Sequence, residues 1–180
     1  LTSNADVVVE LIGGVTDAKD LISRSLQTGK DVVTANKQLL AHHGHELSKI
    51  ARENGRCLFF EASVAGGIPI IHGVKQGLAG DTLFRLRGIL NGTCNYILTR
   101  MEAESVSFGE VLSDAQKLGF AEADPTEDVD GYDAQAKIAI LSSVAFGYEL
   151  RVKQIPVSSI RTIEAIDFVY SKRMQHTIRQ

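Results

Sequence analysis

The chain has 180 residues, of which 44% are hydrophobic and 23% are charged, the usual mix of a globular protein. Its formal net charge is −3 and its basic residues form no stripe, which argues against nucleic-acid binding. Its apolar runs are shorter than the roughly 18 residues of a membrane-spanning helix, and its two distant cysteines fit a reducing cytoplasm. A chain that starts at Leu1 and enters an apolar run almost at once is expected to be a fragment.

Short apolar strands alternate with amphipathic helices in the first 61 residues. Strands are predicted at 5–12, 30–35 and 57–61, and helices at 16–28 and 37–54. Thr16 or Asp17 is the predicted cap of the first helix, and Cys57 is a predicted core residue. Because short links join these elements, the strands are predicted to be parallel and connected by right-handed crossovers. This pattern is typical of a doubly wound, Rossmann-type nucleotide-binding sheet.

The pattern changes after residue 67. Helices are predicted at 68–78, 92–104, 107–118 and 132–146, a strand with alternating arginines at 82–90, and a loop at 119–131. Ser107 and Glu110 have the spacing of a capping box. The tail from 157 is predicted to form a strand and then a helix. The prediction is therefore an α/β chain with part of a nucleotide domain at 1–67 and an α+β region at 68–180, whose tail is a candidate for returning to the first domain.

The most informative segment is 119–137, which carries six acidic residues followed by a lysine: Glu122, Asp124, Glu127, Asp128, Asp130, Asp133 and Lys137. Asp133 and Lys137 share a helix face because they are four residues apart. The apolar residues after Lys137 favour its neutral amine and the carboxylates favour its ammonium form, a balance suited to proton transfer. Such a set suits a small substrate that bears an ammonium group and a reacting oxygen. A solvated loop with an ordinary surface ion pair, worth about 0.3–0.5 kcal/mol, explains the same spacing and stays open.

Four segments in the same order and spacing resemble homoserine dehydrogenases. They are VVTANK at 32–37, EASVAGGIPII at 61–71, ILNGTCNYIL at 89–98 and GFAEADPTEDVDGYDAQAK at 119–137. This family interconverts homoserine and aspartate 4-semialdehyde with NAD or NADP, on the route to threonine and methionine. The resemblance implies a cytoplasmic homodimer or homotetramer, with substrate binding, catalysis and dimerisation in residues 68–180 and with no nucleic-acid or membrane partner. The predicted strand at 82–90 is a candidate for the dimerisation sheet.

The resemblance also implies roles for single residues. Lys137 matches the catalytic lysine, which donates a proton to the carbonyl oxygen and accepts it in the reverse direction. Substrate contacts fall on Glu122, Asp128, Asp133, Gly92 and Thr93, and cofactor contacts on Lys37 and Gly119. A monovalent cation site, usually sodium, matches Glu61, Val64, Gly66 and Ile68. From the residues alone, that last segment is a structural turn.

Two features depart from this pattern or compete with it. The phosphate-binding motif G-x-G-x-x-G does not occur in the sequence, so the chain alone is expected to bind cofactor weakly or not at all. The residue that reads the ribose 2′ position is absent too, so the sequence does not distinguish NAD from NADP. Cys94 allows an alternative, an acylating semialdehyde dehydrogenase with a cysteine nucleophile, although a buried cysteine is the simpler interpretation. A non-catalytic relic of the family is the third alternative.

Overall fold

The computed structural model describes residues 3–180, which divide into two compact units. The first unit comprises residues 3–86 and Ala136–Ile155, and the second comprises Arg87–Gln135 and Pro156–Gln180. One helix, Tyr132–Phe146, contributes residues to both. None of the helices within residues 3–180 has the length and apolar character needed to cross a bilayer.

The first unit is built on a small parallel sheet with two helices packed against it. Its elements are β1 Val7–Glu10, α1 Thr16–Gln27, β2 Asp31–Thr34, α2 Lys37–Glu53, β3 Leu58–Phe59, a 3₁₀ turn at Glu61–Ser63, and α3 Ile70–His72, which continues as a π turn at Gly73–Gly77. The strand order is β1-β2-β3, with Val8 beside Val32 and Val32 beside Leu58. The predicted parallel α/β sheet is therefore confirmed.

The two faces of this sheet differ in burial. Val8, Val32 and Leu58 point to the face that packs against α1 and α2, where Ile22 and Leu39 are fully buried. On the opposite face, Val7, Val9, Val33 and Phe59 are 48%, 60%, 36% and 53% exposed. The strands therefore alternate between a buried and an exposed face, as a sheet with helices on one side does.

Several boundaries in the first unit differ from the predictions. Val15, whose side chain makes no capping bond, precedes α1, so neither Thr16 nor Asp17 is its cap. Cys57 is exposed because it lies just before the short strand β3, so the prediction of a core residue was wrong. The helix predicted at 68–78 is only α3 and its π turn, which begins after Pro69.

The second unit consists of helices around one apolar core. It contains α4 Gly92–Glu104, α5 Phe108–Lys117, α6 Thr126–Val129, the start of α7 Tyr132–Phe146, and α8 Ala165–Arg173. Its core is formed by Cys94, Ile97, Leu98, Met101, Val111, Val129, Ile160 and Phe168. The capping box of Ser107 and Glu110 is confirmed, since each side chain bonds the other's backbone N–H.

Three predictions about residues 82–164 were wrong. The segment 82–90 contains no strand in the described chain, and its Phe84 is 89% exposed and its Ile89 53% exposed. A strand needs a neighbour that takes its backbone hydrogen bonds, and alternation of side chains alone does not supply one. The segment 119–131 is not only loop, because it includes α6. The tail forms no strand before α8 within the described residues, and Ile160 instead donates one backbone bond to Val129.

Candidate functional site

Two of the predicted substrate-binding acids meet on one amide in the second unit. The Asn91 Nδ2 donates to Asp128 Oδ1 at 2.7 Å and to Asp133 Oδ2 at 2.9 Å. Its Oδ1 accepts the backbone N–H of Cys94 at 2.8 Å, which caps α4. Asn91 is 4% exposed and Asp133 is 2% exposed. One buried side chain therefore donates both amide protons to two carboxylates that would otherwise repel each other.

The thiol of Cys94 lies close enough to this acidic cluster for its pKa to be affected. Burial first, and then the negative charges of Asp128, Asp133 and Asp130, raise the pKa of its thiol to about 12. The thiol is fully buried and its Sγ donates to the Asp128 carbonyl at 3.2 Å. A cysteine nucleophile needs an accessible thiolate. The geometry therefore argues against the alternative in which Cys94 attacks an aldehyde.

The other predicted substrate and cofactor residues of this unit lie on the loop before α6 and at the start of α4. The Thr93 Oγ1 donates to the Phe120 carbonyl at 2.9 Å, which ties α4 to this loop. Gly92 is the exposed first residue of α4. Gly119 has φ +77°, a left-handed conformation that favours glycine and ends α5. Glu122 is exposed, and its carbonyl accepts from Gln116 Nε2 at 3.0 Å.

Two further acidic residues form bonds with the tail and with α6 rather than with Asn91. The Asp130 Oδ1 accepts from Arg161 Nε at 2.8 Å and from the Ser159 hydroxyl at 2.7 Å. These bonds, Arg161 first, hold the pKa of Asp130 below its ordinary value. The Asp124 side chain accepts the N–H of Thr126, the first residue of α6, at 3.1 Å. These two acids fasten the tail and α6, so they are structural residues of the acidic segment.

The two predicted lysines belong to the first unit. Lys137 is half-buried on α7, four residues after Asp133 on the same continuous helix. Lys37 is the first residue of α2, directly after Asn36, whose side chain caps the helix by accepting the Leu39 N–H at 3.1 Å. Lys37 thus follows the carboxyl end of β2, the edge where parallel sheets of this kind bind ligands. The roles of both lysines stay predictions.

The residues predicted to bind a cation form one turn. Glu61 starts the 3₁₀ turn, and its two carboxylate oxygens accept the N–H groups of Ile71 and His72 at 2.8 and 2.9 Å. Val64 is fully buried, whereas Gly66 and Ile68 are exposed. Ile68 N–H bonds the Ala65 carbonyl at 2.8 Å and closes the turn. Within residues 3–180, no three histidine, cysteine or acidic side chains gather as a metal site.

The first unit also has a cavity of about 520 Å³ that lies apart from all these residues. Its lining includes Arg56, Phe59, Lys75, Ile140 and Tyr148. None of the predicted catalytic, substrate, cofactor or cation residues lines it. This cavity is therefore not where the candidate catalytic and binding residues lie.

Family models match the chain over most of its length. The model described as homoserine dehydrogenase matches residues 69–180, and the model described as homoserine dehydrogenase, NAD binding domain, matches residues 1–61. The chain belongs to the homoserine dehydrogenase family. The resemblance seen in the four sequence segments is thereby confirmed. The division near residue 67 into two domains stays a prediction.

Individual homoserine dehydrogenases agree with this family. The enzyme of Bacillus subtilis is 47% identical over 176 residues, 98% of this chain and 41% of its own length. A crystal structure from Thiobacillus denitrificans shares 43% identity with a TM-score of 0.92, over 97% of this chain and 40% of its own. A hyperthermophilic archaeal homoserine dehydrogenase in complex with NADPH shares 31% identity with a TM-score of 0.78, over 89% of this chain and 49% of its own. The chain thus spans about two fifths of the length of the curated relatives it matches.

Asn91 is the site residue that the sequence prediction missed. It stands directly before Gly92 and Thr93, which were singled out, and asparagine is a common helix cap. That signal predicts one hydrogen bond from its oxygen. The bonds from its nitrogen reach Asp128 and Asp133, 37 and 42 residues later, and local spacing carries no information about them.

Proposed function

We propose that this chain carries the catalytic part of a homoserine dehydrogenase, which interconverts L-homoserine and L-aspartate 4-semialdehyde with NAD(P). The observation that carries the proposal is the pair of carboxylates, Asp128 and Asp133, held on the amide of Asn91. The family membership of the chain supports the same reaction. Two carboxylates this close together make the local electrostatic potential negative, which favours a cationic ligand group.

We assign the ammonium group of the substrate to this acidic cluster. Glu122, Asp128 and Asp133 supply the negative charge, and the exposed start of α4 at Gly92 and Thr93 completes the substrate contacts. Because the Thr93 hydroxyl proton is already bonded to the Phe120 carbonyl, Thr93 can offer a ligand only its oxygen as an acceptor. Such an oxygen suits the substrate ammonium better than the substrate carboxylate.

We assign the proton transfer to Lys137. When homoserine is oxidised, the neutral amine of Lys137 takes the hydroxyl proton and becomes an ammonium group. In the reverse reaction that ammonium returns the proton to the carbonyl oxygen of the semialdehyde. The nicotinamide cofactor, when bound, accepts or supplies the hydride. A general acid–base group in this position contributes about 10²–10⁴-fold to the rate.

We place the cofactor at the carboxyl edge of the sheet, with Lys37 between cofactor and substrate and Gly119 beside the cofactor. Parallel sheets of this class bind ligands at that edge, and the archaeal relative solved with NADPH shares the fold. The choice between NAD and NADP, the place in threonine and methionine synthesis, and a homodimer or homotetramer stay predictions.

A monovalent cation at the turn 61–68 is a further part of the proposal. The oxygen atoms of Glu61, Val64, Gly66 and Ile68 are of the type that hard cations prefer. Each Glu61 carboxylate oxygen keeps a lone pair beyond the backbone N–H it accepts. The cation would brace the turn rather than take part in the reaction.

The activity is tested with the natural full-length protein, by following NADPH or NADH formation from L-homoserine. We expect turnover with L-homoserine. With 4-hydroxybutyrate, which has the hydroxyl but lacks the ammonium group, the rate should not saturate with substrate concentration. Asp133→Asn should raise the KM for homoserine more than it lowers kcat. Asp20→Asn, at an exposed acid on α1, is the control and should change neither. A protein that oxidises no homoserine with either cofactor would end the proposal.

A further inference from the structure

We propose that Glu10 is a positioning residue for the cofactor: its buried carboxylate fixes two turns at the carboxyl edge of the sheet and thereby sets NAD(P) affinity. This inference rests on the proposed function. It concerns only the first unit, and the site assignments above do not include Glu10. The residue ends β1 and is 1% exposed, on the same face as the fully buried Val32.

The carboxylate of Glu10 holds the first turn directly. Its Oε1 accepts the backbone N–H of Ile12 at 2.9 Å and that of Gly13 at 3.1 Å. Gly13 and Gly14 have φ of +73° and +70°, the left-handed region that glycine adopts without strain. A Cβ added to either glycine would meet no atom within 4 Å. The turn is therefore rigidly anchored on its inner side and open on its outer side, where a ligand can approach the backbone.

The same carboxylate holds the second turn through Thr34. The Thr34 hydroxyl donates to Glu10 Oε2 at 2.6 Å, and its oxygen accepts the Asn36 N–H at 3.0 Å. The Asn36 side chain then donates to the Gly14 carbonyl at 2.7 Å. These bonds form a closed ring through both turns. The second turn leads directly into Lys37, the residue assigned to the space between cofactor and substrate.

An apolar side chain at this position would avoid the desolvation free energy that a buried carboxylate costs. Val8 and Val32, the preceding residues of β1 and β2 on the buried face, are apolar, and only Thr34 pairs with Glu10 there as a polar residue. A buried carboxylate costs desolvation energy unless donors satisfy it. Here the satisfied carboxylate sits at the end of the strand where a dinucleotide binds in doubly wound sheets. The buried Glu10 carboxylate therefore fixes the conformation of two turns at the ligand-binding edge.

The test measures NADPH binding by fluorescence titration, and kcat and KM, in the natural full-length protein. Glu10→Met keeps the volume but removes all three acceptor bonds, so we expect about a tenfold weaker NADPH affinity. Glu10→Gln keeps an amide oxygen for the two N–H groups and should weaken it only about two- to fourfold. For both variants, kcat at saturating cofactor and the KM for homoserine should stay close to wild type.

Thr34→Val provides a second route, since it breaks the ring without touching the carboxylate. Its effect and that of Glu10→Gln should combine less than additively, because both act on one bond. Asp17→Asn, at an exposed acid on α1, is the control and should leave NADPH affinity unchanged. If Glu10→Met does not fold, Glu10→Gln and Thr34→Val carry the test.

Unchanged NADPH affinity in a folded Glu10→Met or Thr34→Val protein overturns the inference. So does a loss of activity that follows the folded fraction alone, with the KM for cofactor unaltered. A wild-type protein that binds NADPH but oxidises no homoserine removes the proposed activity, while the titrations still decide the role of Glu10. A wild-type protein that binds no NADPH overturns the role as well.

Discussion

Glu10 and Asp133 are buried to the same degree, 1% and 2% exposed, but their surroundings differ. Glu10 accepts from two backbone N–H groups and one hydroxyl, all neutral donors arranged around one carboxylate. Asp133 shares the amide of Asn91 with a second carboxylate, Asp128. A single acid that accepts from nearby backbone N–H groups holds the backbone in place, whereas two neighbouring acids make the local electrostatic potential negative. In the roles that we propose, buried carboxylates position backbone turns in the first unit and bind a positive charge in the second.

The greatest effect that we expect is a slow chemical modification of Cys94, which tests its burial and the negative charges around it. With the pKa of its thiol raised to about 12, only about 10⁻⁴ of the thiol is ionised at pH 8. We expect iodoacetamide to modify Cys94 at least about 10³-fold more slowly than the exposed Cys57 in the native protein. Mass spectrometry of timed samples measures both rates in one experiment. Comparable rates would contradict the burial and charge assigned to Cys94.

The next effect concerns the shared donor. Asn91→Asp removes both donated bonds and adds a third carboxylate to the pair, so we expect a loss of about 2–4 kcal/mol in the free energy of unfolding. Asn91→Ser keeps an oxygen for the helix cap and should lose less. Urea unfolding measures both. Asn95→Asp, one turn later on α4, is the matched control. An equal loss in the Asn91 and Asn95 variants would mean that the bonds from Asn91 to Asp128 and Asp133 do not stabilise the folded protein.

The exposed carboxylate of Glu110 has a similar set of donors to that of the buried Glu10. Glu110 accepts from the N–H and the hydroxyl of Ser107, as Glu10 accepts from two N–H groups and Thr34, but in contact with water. Ser107→Ala should cost about 1 kcal/mol, the usual worth of a helix N-cap. Thermal unfolding measures it, with Ser113→Ala on the exposed side of α5 as control. A loss as large as that of Asn91→Asp would show that burial does not distinguish these networks.

The smallest effect is a pH dependence at Asp130. Its pKa is lower in the folded protein than its ordinary value of 3.8, chiefly through Arg161 and then Ser159. The ionised form is therefore favoured by folding, and this contribution is present above pH 4 and is lost as the pH falls through the folded pKa. In Asp130→Asn, the unfolding midpoint should depend less steeply on pH below 4 than in wild type. An identical slope would remove Asp130 from the acid response.

How well the sequence predicted each part follows from the range of the interactions involved. Helix α4 and the capping box at Ser107 depend on spacing within a few residues, and both were predicted correctly. The segment 82–90 alternates like a strand, yet a strand also depends on a partner that alternation does not specify. The site shows the same limit: the acids were identified from one short segment. The bonds from Asn91 to Asp128 and Asp133, and the bond from Thr34 to Glu10, span 24 to 42 positions, which no local pattern encodes.

Lys137 is proposed to transfer the proton while the acids hold the substrate. The most direct measurement is the rate of hydride transfer in a single turnover, with saturating NADPH and aspartate 4-semialdehyde, in Lys137→Ala and in the surface control Lys49→Ala. Lys137→Ala is predicted to be about 10²–10⁴-fold slower than wild type with NADPH affinity unchanged, and Lys49→Ala to equal wild type. A Lys137→Ala protein that transfers hydride at the wild-type rate would contradict the account.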